Sequence, residues 1–204
     1  MIDLASLMQH CAPTVAPTVL QAIIRTESGF DPLALHVNGA VRLQSQPRTL
    51  AQAGAWSDWL IRQGYSVDMG LMQINSRNLT ALHLTTASVF QPCLNLRAGA
   101  EILSAYYSQA AKTVGPGTPA LLRAISAYNT GTFTSGFRNG YVGRVVLNIP
   151  AGRRPPALDL TCLLTQCDAR FARSTQLSPY TADSAVAGFD AILHPETGAT
   201  IVAP

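Results

Sequence analysis

Only 11 of the 204 residues are Asp or Glu, so an acid set among apolar residues stands out. Glu27 is such an acid. It follows Ile24 and Ile23 by three and four positions, so on a helix it shares their apolar face. It also falls in the last turn of that helix, where the dipole presents partial negative charge. Burial and the dipole both disfavour a carboxylate and raise its pKa. A carboxyl kept protonated near neutral pH can donate to a leaving oxygen. The same placement suits an amphipathic glutamate whose carboxylate reaches water, Arg25 or Arg123. Position alone leaves both readings open.

The element that carries Glu27 is legible. Pro17 can open a helix at its first turn; Leu20, Ile23 and Ile24 follow at helical spacing, and Gly29 and Pro32 end it. Further helices are predicted over Leu50–Gln63, with Trp56, Trp59 and Leu60 on one side, and over Leu94–Val114, with Leu96, Ala100, Leu103 and Tyr107 along one face. Shorter ones are predicted at Pro119–Tyr128 and Gly140–Asn148. The only strand signal is at Ser66–Ile74. These features predict a mainly α domain over residues 1–150. Beyond Pro150 a breaker-rich junction, Gly152 to Pro156, leads into residues 151–204, rich in Ala, Thr, Ser and Pro. That stretch reads as a partly disordered or partner-binding tail with one helix-like piece at Leu158–Ala172.

Composition excludes more than it selects. The chain is 48% hydrophobic and 12% charged, with a formal net charge of +3. Lys112 is the only lysine and the arginines are scattered, so no basic stripe for nucleic acid is expected. No run of about 18 apolar residues occurs, so no membrane-spanning helix is expected. Cys11, Cys93, Cys162 and Cys167 form no CxxC pair, and the histidines offer no zinc spacing; neither metal nor cofactor is expected. An even count permits two disulfides, Cys11 with Cys93 and Cys162 with Cys167, against the alternative of four reduced thiols. Met1–Pro13 lacks a basic start and an apolar core, so no signal peptide is recognisable there.

Ordered segments narrow the function. Glu27-Ser28-Gly29-Phe30-Asp31-Pro32 is followed by Asp68-Met69-Gly70-Leu71-Met72-Gln73-Ile74-Asn75, then by Ala127-Tyr128-Asn129-Thr130-Gly131 and Tyr141. In this order they resemble the lysozyme-like lytic transglycosylases. The longer phrases Gly70–Asn78 and Arg123–Gly131 are similar to the VirB-type branch, associated with type IV secretion systems. The resemblance covers about residues 5–148.

It implies a lysozyme-like (goose-type, SLT) α+β domain with little strand, acting on peptidoglycan in the periplasm. Glu27 matches the family's sole catalytic acid/base. Gln73 matches a residue whose amide reaches the glycan near the scissile bond. Tyr128 and Asn129 match the cleft segment that positions carboxyl and sugar, and Tyr141 matches a tyrosine facing the same cleft. Each also has a plainer reading: Gln73 satisfying backbone groups, Tyr128 as a core aromatic, Asn129-Thr130-Gly131 as a helix-ending turn. Ser28 is expected to cap or orient, Met72 to line the groove or pack beneath it, and Asp68 to cap a turn rather than act electrostatically.

The family chemistry uses one carboxyl where most glycosidases use two. The protonated acid donates to the glycosidic oxygen and the substrate's acetamido group stabilises the cationic sugar. The carboxylate then takes the C6 hydroxyl proton, leaving a 1,6-anhydro end. Two departures stand out. Residues 31–67 are longer than in compact members and carry the tryptophan helix, read as a packed flap in preference to a lid. Asn75-Ser76 replaces the Met-Pro of many compact relatives, so no groove contact is carried over to Asn75. The rival readings are a hydrolytic muramidase and a non-catalytic wall-binding assembly module. The tail is expected to meet secretion-system components.

Overall fold

Pro17 occupies the first turn of α2 (Pro17–Glu27), where its missing N–H costs no helical bond. Leu20, Ile23 and Ile24 are completely buried on the inner face. The helix stops at Ser28, whose backbone N–H and hydroxyl both donate to the Ile24 carbonyl. Gly29 and Phe30 then take positive φ values of 60° and 74°. The Asp31 carboxylate accepts the Leu33 N–H at 2.8 Å, an Asx turn that completes the reversal. The chain returns as β1 (Leu35–Val37).

In the computed structural model, which describes residues 4–39 and 41–150, β1 is the first strand of an antiparallel sheet ordered β1-β2-β3. β2 is Val67–Met69 and β3 is Ile74–Asn75. The register sets His36 opposite Asp68 and Asp68 opposite Asn75. The single expected strand region, Ser66–Ile74, therefore holds β2 and the first residue of β3, and β1 lies outside it. Strands of three residues are too short to display a period of two, which explains the omission.

The hairpin turn between β2 and β3 is tied to the longest helix, α4 (Pro92–Val114). Asn95, in its first turn, donates to the Met69 and Val89 carbonyls at 2.9 and 2.8 Å and accepts the Met72 N–H at 2.7 Å. A Cβ on Gly70 would stand 2.4 Å from the Asn95 amide nitrogen, and φ there is 76°. Glycine is required twice over at that position.

α5 (Thr118–Thr130) packs along α4, and α7 (Tyr141–Leu147) packs on both α5 and α2. Two short elements without a predicted counterpart complete the frame: α1 (Leu4–Cys11) and α6 (Ser135–Arg138). α3 (Leu50–Arg62) starts at Thr49, whose hydroxyl accepts the Gln52 N–H while the Gln52 side chain accepts the Arg48 N–H. This reciprocal pairing is close to a capping box. The expected Leu158–Ala172 helix, the Cys162–Cys167 pair and the tail lie outside the described residues.

Cys11 at the end of α1 is disulfide-bonded to Cys93 at the start of α4, closing a sequence separation of 82. A loop of that length constrains the unfolded chain strongly. Reduction, or Cys93→Ala, is expected to cost about 2–5 kcal/mol of stability, read as a lowered denaturant midpoint in urea. An unchanged midpoint would mean that the link adds nothing.

Candidate active site

Glu27 closes α2 beside a cavity of about 450 Å³ whose lining includes Ser28, His36, Asp68, Gln73 and Asn129. Glu27 is partly exposed to this space. Its Oε1 accepts a hydrogen bond from the Tyr141 hydroxyl. Tyr141 is 2% exposed and opens α7 after Gly140, which has left-handed backbone. Its N–H donates to the Asn139 side-chain oxygen at 2.9 Å, and the Asn139 amide donates to Asn129 Oδ1 at 2.9 Å. A relay of contacts thus runs from the end of α5 to the Glu27 carboxyl. Asn139 was not anticipated from the sequence; the Asn139-Gly140 pair is a turn signal whose partner only the fold supplies.

Burial is the main force on Glu27. Desolvation pushes its pKa up to about 7. The Tyr141 hydroxyl opposes this, the Asp68 charge adds to it, and Arg144 opposes it. Of the two arginines considered as partners for Glu27, Arg25 turns to Phe30, its guanidinium 5.4 Å from the ring centroid, and Arg123 is not among the groups that act on the Glu27 carboxyl. Burial pushes both tyrosine hydroxyls, Tyr128 and Tyr141, well up as well. They remain neutral donors at any working pH.

Gln73 reaches the cavity from the hairpin turn, with φ of 48°. Its amide nitrogen donates to the Ala34 and Gly70 carbonyls at 3.1 and 2.9 Å. The side-chain oxygen is the end left for a ligand. Phe30 and Gln73 are both non-glycine residues with positive φ, a local strain of about 1–3 kcal/mol each.

Of the two places left open for each, Tyr128 and Met72 take the plainer one, a core aromatic and a side chain packed beneath the groove, rather than that of a sugar contact. Tyr128 is 2% exposed and donates to the Met72 carbonyl at 2.7 Å. Met72 is fully buried against Gly99. Neither lines the cavity; both hold the Gln73 turn from beneath. Ser28 does line it, with its hydroxyl spent on the α2 terminus.

Asp68 departs most from expectation. It caps no turn. It stands in the middle of β2, 5% exposed, and lines the cavity with Glu27. Its oxygens accept from Asn75 Nδ2 at 2.6 Å and Asn38 Nδ2 at 2.8 Å. Burial raises its pKa, and the two amides, His36 and Arg77 oppose the rise. Asn75 is 2% exposed and serves Asp68 from within the sheet. No cluster of three His, Cys, Asp or Glu suited to a metal occurs among the described residues.

One carboxyl with its pKa near neutrality, a neutral tyrosine donor against it and a second carboxyl in the same cavity are groups of the kind that acid–base chemistry uses. The model of the transglycosylase SLT domain matches residues 5–145. The chain belongs to that family. The chain is 46% identical over 140 residues to protein virB1 of Agrobacterium fabrum, covering 67% of this chain and 55% of that one. It is 38% identical over 164 residues to the type IV secretion system protein virB1 of Brucella suis biovar 1, covering 78% and 68%. Against protein virB1 of Rhizobium radiobacter the figures are 42% over 163 residues, 78% and 67%. The chain thus spans little more than half of the Agrobacterium fabrum protein and about two thirds of the others. No solved structure matches it significantly.

Because folding raises the Glu27 pKa from 4.5 to about 7, the folded state holds a proton there that the unfolded state has lost. Stability from this group is complete below about pH 4.5 and declines until about pH 7. Glu27→Gln removes that decline. It is expected to leave stability similar at pH 4.5 and to raise it by about 1–3 kcal/mol at pH 8. Thermal unfolding of both chains at the two pH values checks this; an equal difference at both would show that the carboxyl is not desolvated.

Proposed function

We propose that this chain is a peptidoglycan lytic transglycosylase. It cleaves the β-1,4 bond between N-acetylmuramic acid and N-acetylglucosamine, leaves a 1,6-anhydro end and opens the wall locally for assembly of a type IV secretion system. The observation that carries this reading is the Glu27 carboxyl, held near its protonation midpoint at the edge of an open cavity and bonded to Tyr141.

Protonated Glu27 donates to the glycosidic oxygen as the C1–O bond breaks. The departing sugar takes the proton, and the acetamido oxygen of the muramic residue shares the positive charge at C1. Glu27, now a carboxylate, accepts the C6 hydroxyl proton while O6 bonds to C1. Glu27 ends as it began, and no water enters. Gln73, through its side-chain oxygen, and Asn129 contact the sugars at the cleft. Ser28 shapes its edge, and Tyr128 and Met72 support it from below. Tyr141 donates to the Glu27 carboxylate formed midway.

The Cys11–Cys93 bond suits the oxidising periplasm. No helix among the described residues is long and apolar enough to cross a membrane. The secretion-system role rests on the virB1 relatives, one of which is named as a protein of that system. Residues 151–204 would provide the contact with it.

A second reading has its own support. Asp68 supplies a second carboxyl in the cavity, and paired carboxyls are the usual equipment of a hydrolysing muramidase. The products separate the two. Wall digested by this chain is expected to yield anhydro-muramoyl ends by mass spectrometry, and Glu27→Gln to lower the rate by about 100- to 10,000-fold. Reducing ends alone would establish the muramidase.

Asp68→Asn is expected to retain anhydro products. Removing a charge that raises the Glu27 pKa should move the alkaline limb of the pH–rate profile to lower pH, since the acid is lost sooner. A limb that stays in place would mean that the two carboxyls are not coupled.

A further inference from the structure

The insert between Phe30 and Asp68 holds a feature that the chemistry at Glu27 does not use. A second cavity, about 390 Å³, is lined by Leu43, Gln44, Ser45, Trp56, Trp59 and Leu60. That volume lies within the usual range for small-ligand clefts of about 300–1,000 Å³. We propose that this trough is a further glycan subsite, in which Trp59 stacks on a sugar ring of the strand whose scissile bond lies at Glu27. The inference rests on the reading of the Glu27 cavity as a glycan cleft.

Three observations carry it. The first is continuity. Ser45 lines the trough, and its neighbour Gln46 lines the Glu27 cavity. Gln46 is pinned there, its side chain accepting the Leu35 N–H at 2.8 Å and donating to the Leu35 carbonyl at 3.1 Å. One fixed segment thus has the catalytic cavity on one side and the trough beside it. The two cavities therefore meet at adjacent residues of one segment.

The second is the chemistry of the lining. No residue of the trough is charged, which disfavours an ionic partner. Apolar and aromatic side chains meet an amide and a hydroxyl. A pyranose has the complementary surface, an apolar C–H face bounded by hydroxyl edges. Trp59 is 55% exposed, an unusual state for a large aromatic with no ligand of its own.

The third is rigidity. α3 does not hang over the cleft as a mobile lid. Ala53, Ser57 and Leu60 are buried beneath it. A Cβ on Gly54 would touch Ala87 at 3.5 Å, and the Thr86 hydroxyl donates to Asp58 at 2.5 Å. The helix is held on its inner side and presents Trp59 from a fixed base, as a stacking platform requires.

The chain contains two tryptophans, and both line the trough. Its indole fluorescence therefore reports on this site alone. The test uses the full chain with Glu27→Gln, so that ligand is not cut, and glycan strands stripped of their peptide stems. Calorimetry measures total binding and emission measures the trough. The strands are expected to shift tryptophan emission. Trp59→Ala in the same background is expected to weaken binding about tenfold, and Trp59→Phe to restore most of it. Strands that bind by calorimetry without moving emission, and equally well in Trp59→Ala, would overturn the trough and leave the Glu27 cleft standing. Emission that responds only to strands carrying peptide stems would overturn it in favour of a stem site. Failure of the strands to bind, with no cleavage by the unaltered chain, would bring down the reading of the cleft and the trough with it.

Discussion

The side-chain amide of Asn95 is the constraint on which the cleft depends. It is completely buried and spends both donors and its acceptor on backbone groups of other segments. Each such bond contributes only about 1 kcal/mol net, but a buried group left without its partner costs more. The β2–β3 turn is consequently fixed to α4 rather than free at the end of a short hairpin. With the turn fixed, the Met72 carbonyl faces Tyr128 and the Gln73 side chain reaches back to Ala34. Strands this short could not hold one another in place. The sheet exists because a helix grips its turn.

The other wall of the cleft is made by a different balance. Partial withdrawal of the Glu27 carboxyl from water favours its protonated form; the Tyr141 hydroxyl and Arg144 favour its ionised form. Deeper burial would yield an acid that never gives up its proton. Stronger hydrogen bonding would yield a carboxylate that never regains one. The role proposed for Glu27, first donating and then accepting, needs both forms within reach, and a pKa near 7 provides that. The cost appears in stability, since the fold carries a carboxyl that it would rather keep neutral.

The helices were legible because their signals are local. Pro17, the Leu20-Ile23-Ile24 stripe and Gly29 bound α2 within a few residues of where it lies, and Glu27 follows from that stripe. The segments that form the cavity and its support were visible as ordered motifs. What sequence could not convey was the side of the chain on which each polar group faces. Tyr128 belongs to a cleft motif yet points beneath the floor, because Met72 O is its partner. Asp68 looked like a turn acid because nothing near it in sequence discloses that His36 and Asn75 flank it across strands. Asn95 carried no signal at all, since its partners are fixed by tertiary packing. Local periodicity foretold the scaffold; non-local register decided which side chains meet.

Register also bears on the meaning of the second carboxyl. Asp68 does not sit in the cavity as a bare base. Asn75 grips one oxygen and Asn38 the other, so its position is fixed and part of its accepting capacity is used. A group held this way acts most readily through its field. Its negative charge raises the Glu27 pKa, favouring the form that donates, and the same charge would favour a cationic sugar as the bond breaks. Neither effect requires Asp68 to take a proton. A hydrolysing enzyme additionally needs a carboxylate that activates water or attacks the sugar, whereas the intramolecular route asks only that Glu27 recover the proton it gave. Two acids in one cavity are thus compatible with a mechanism in which only Glu27 moves a proton.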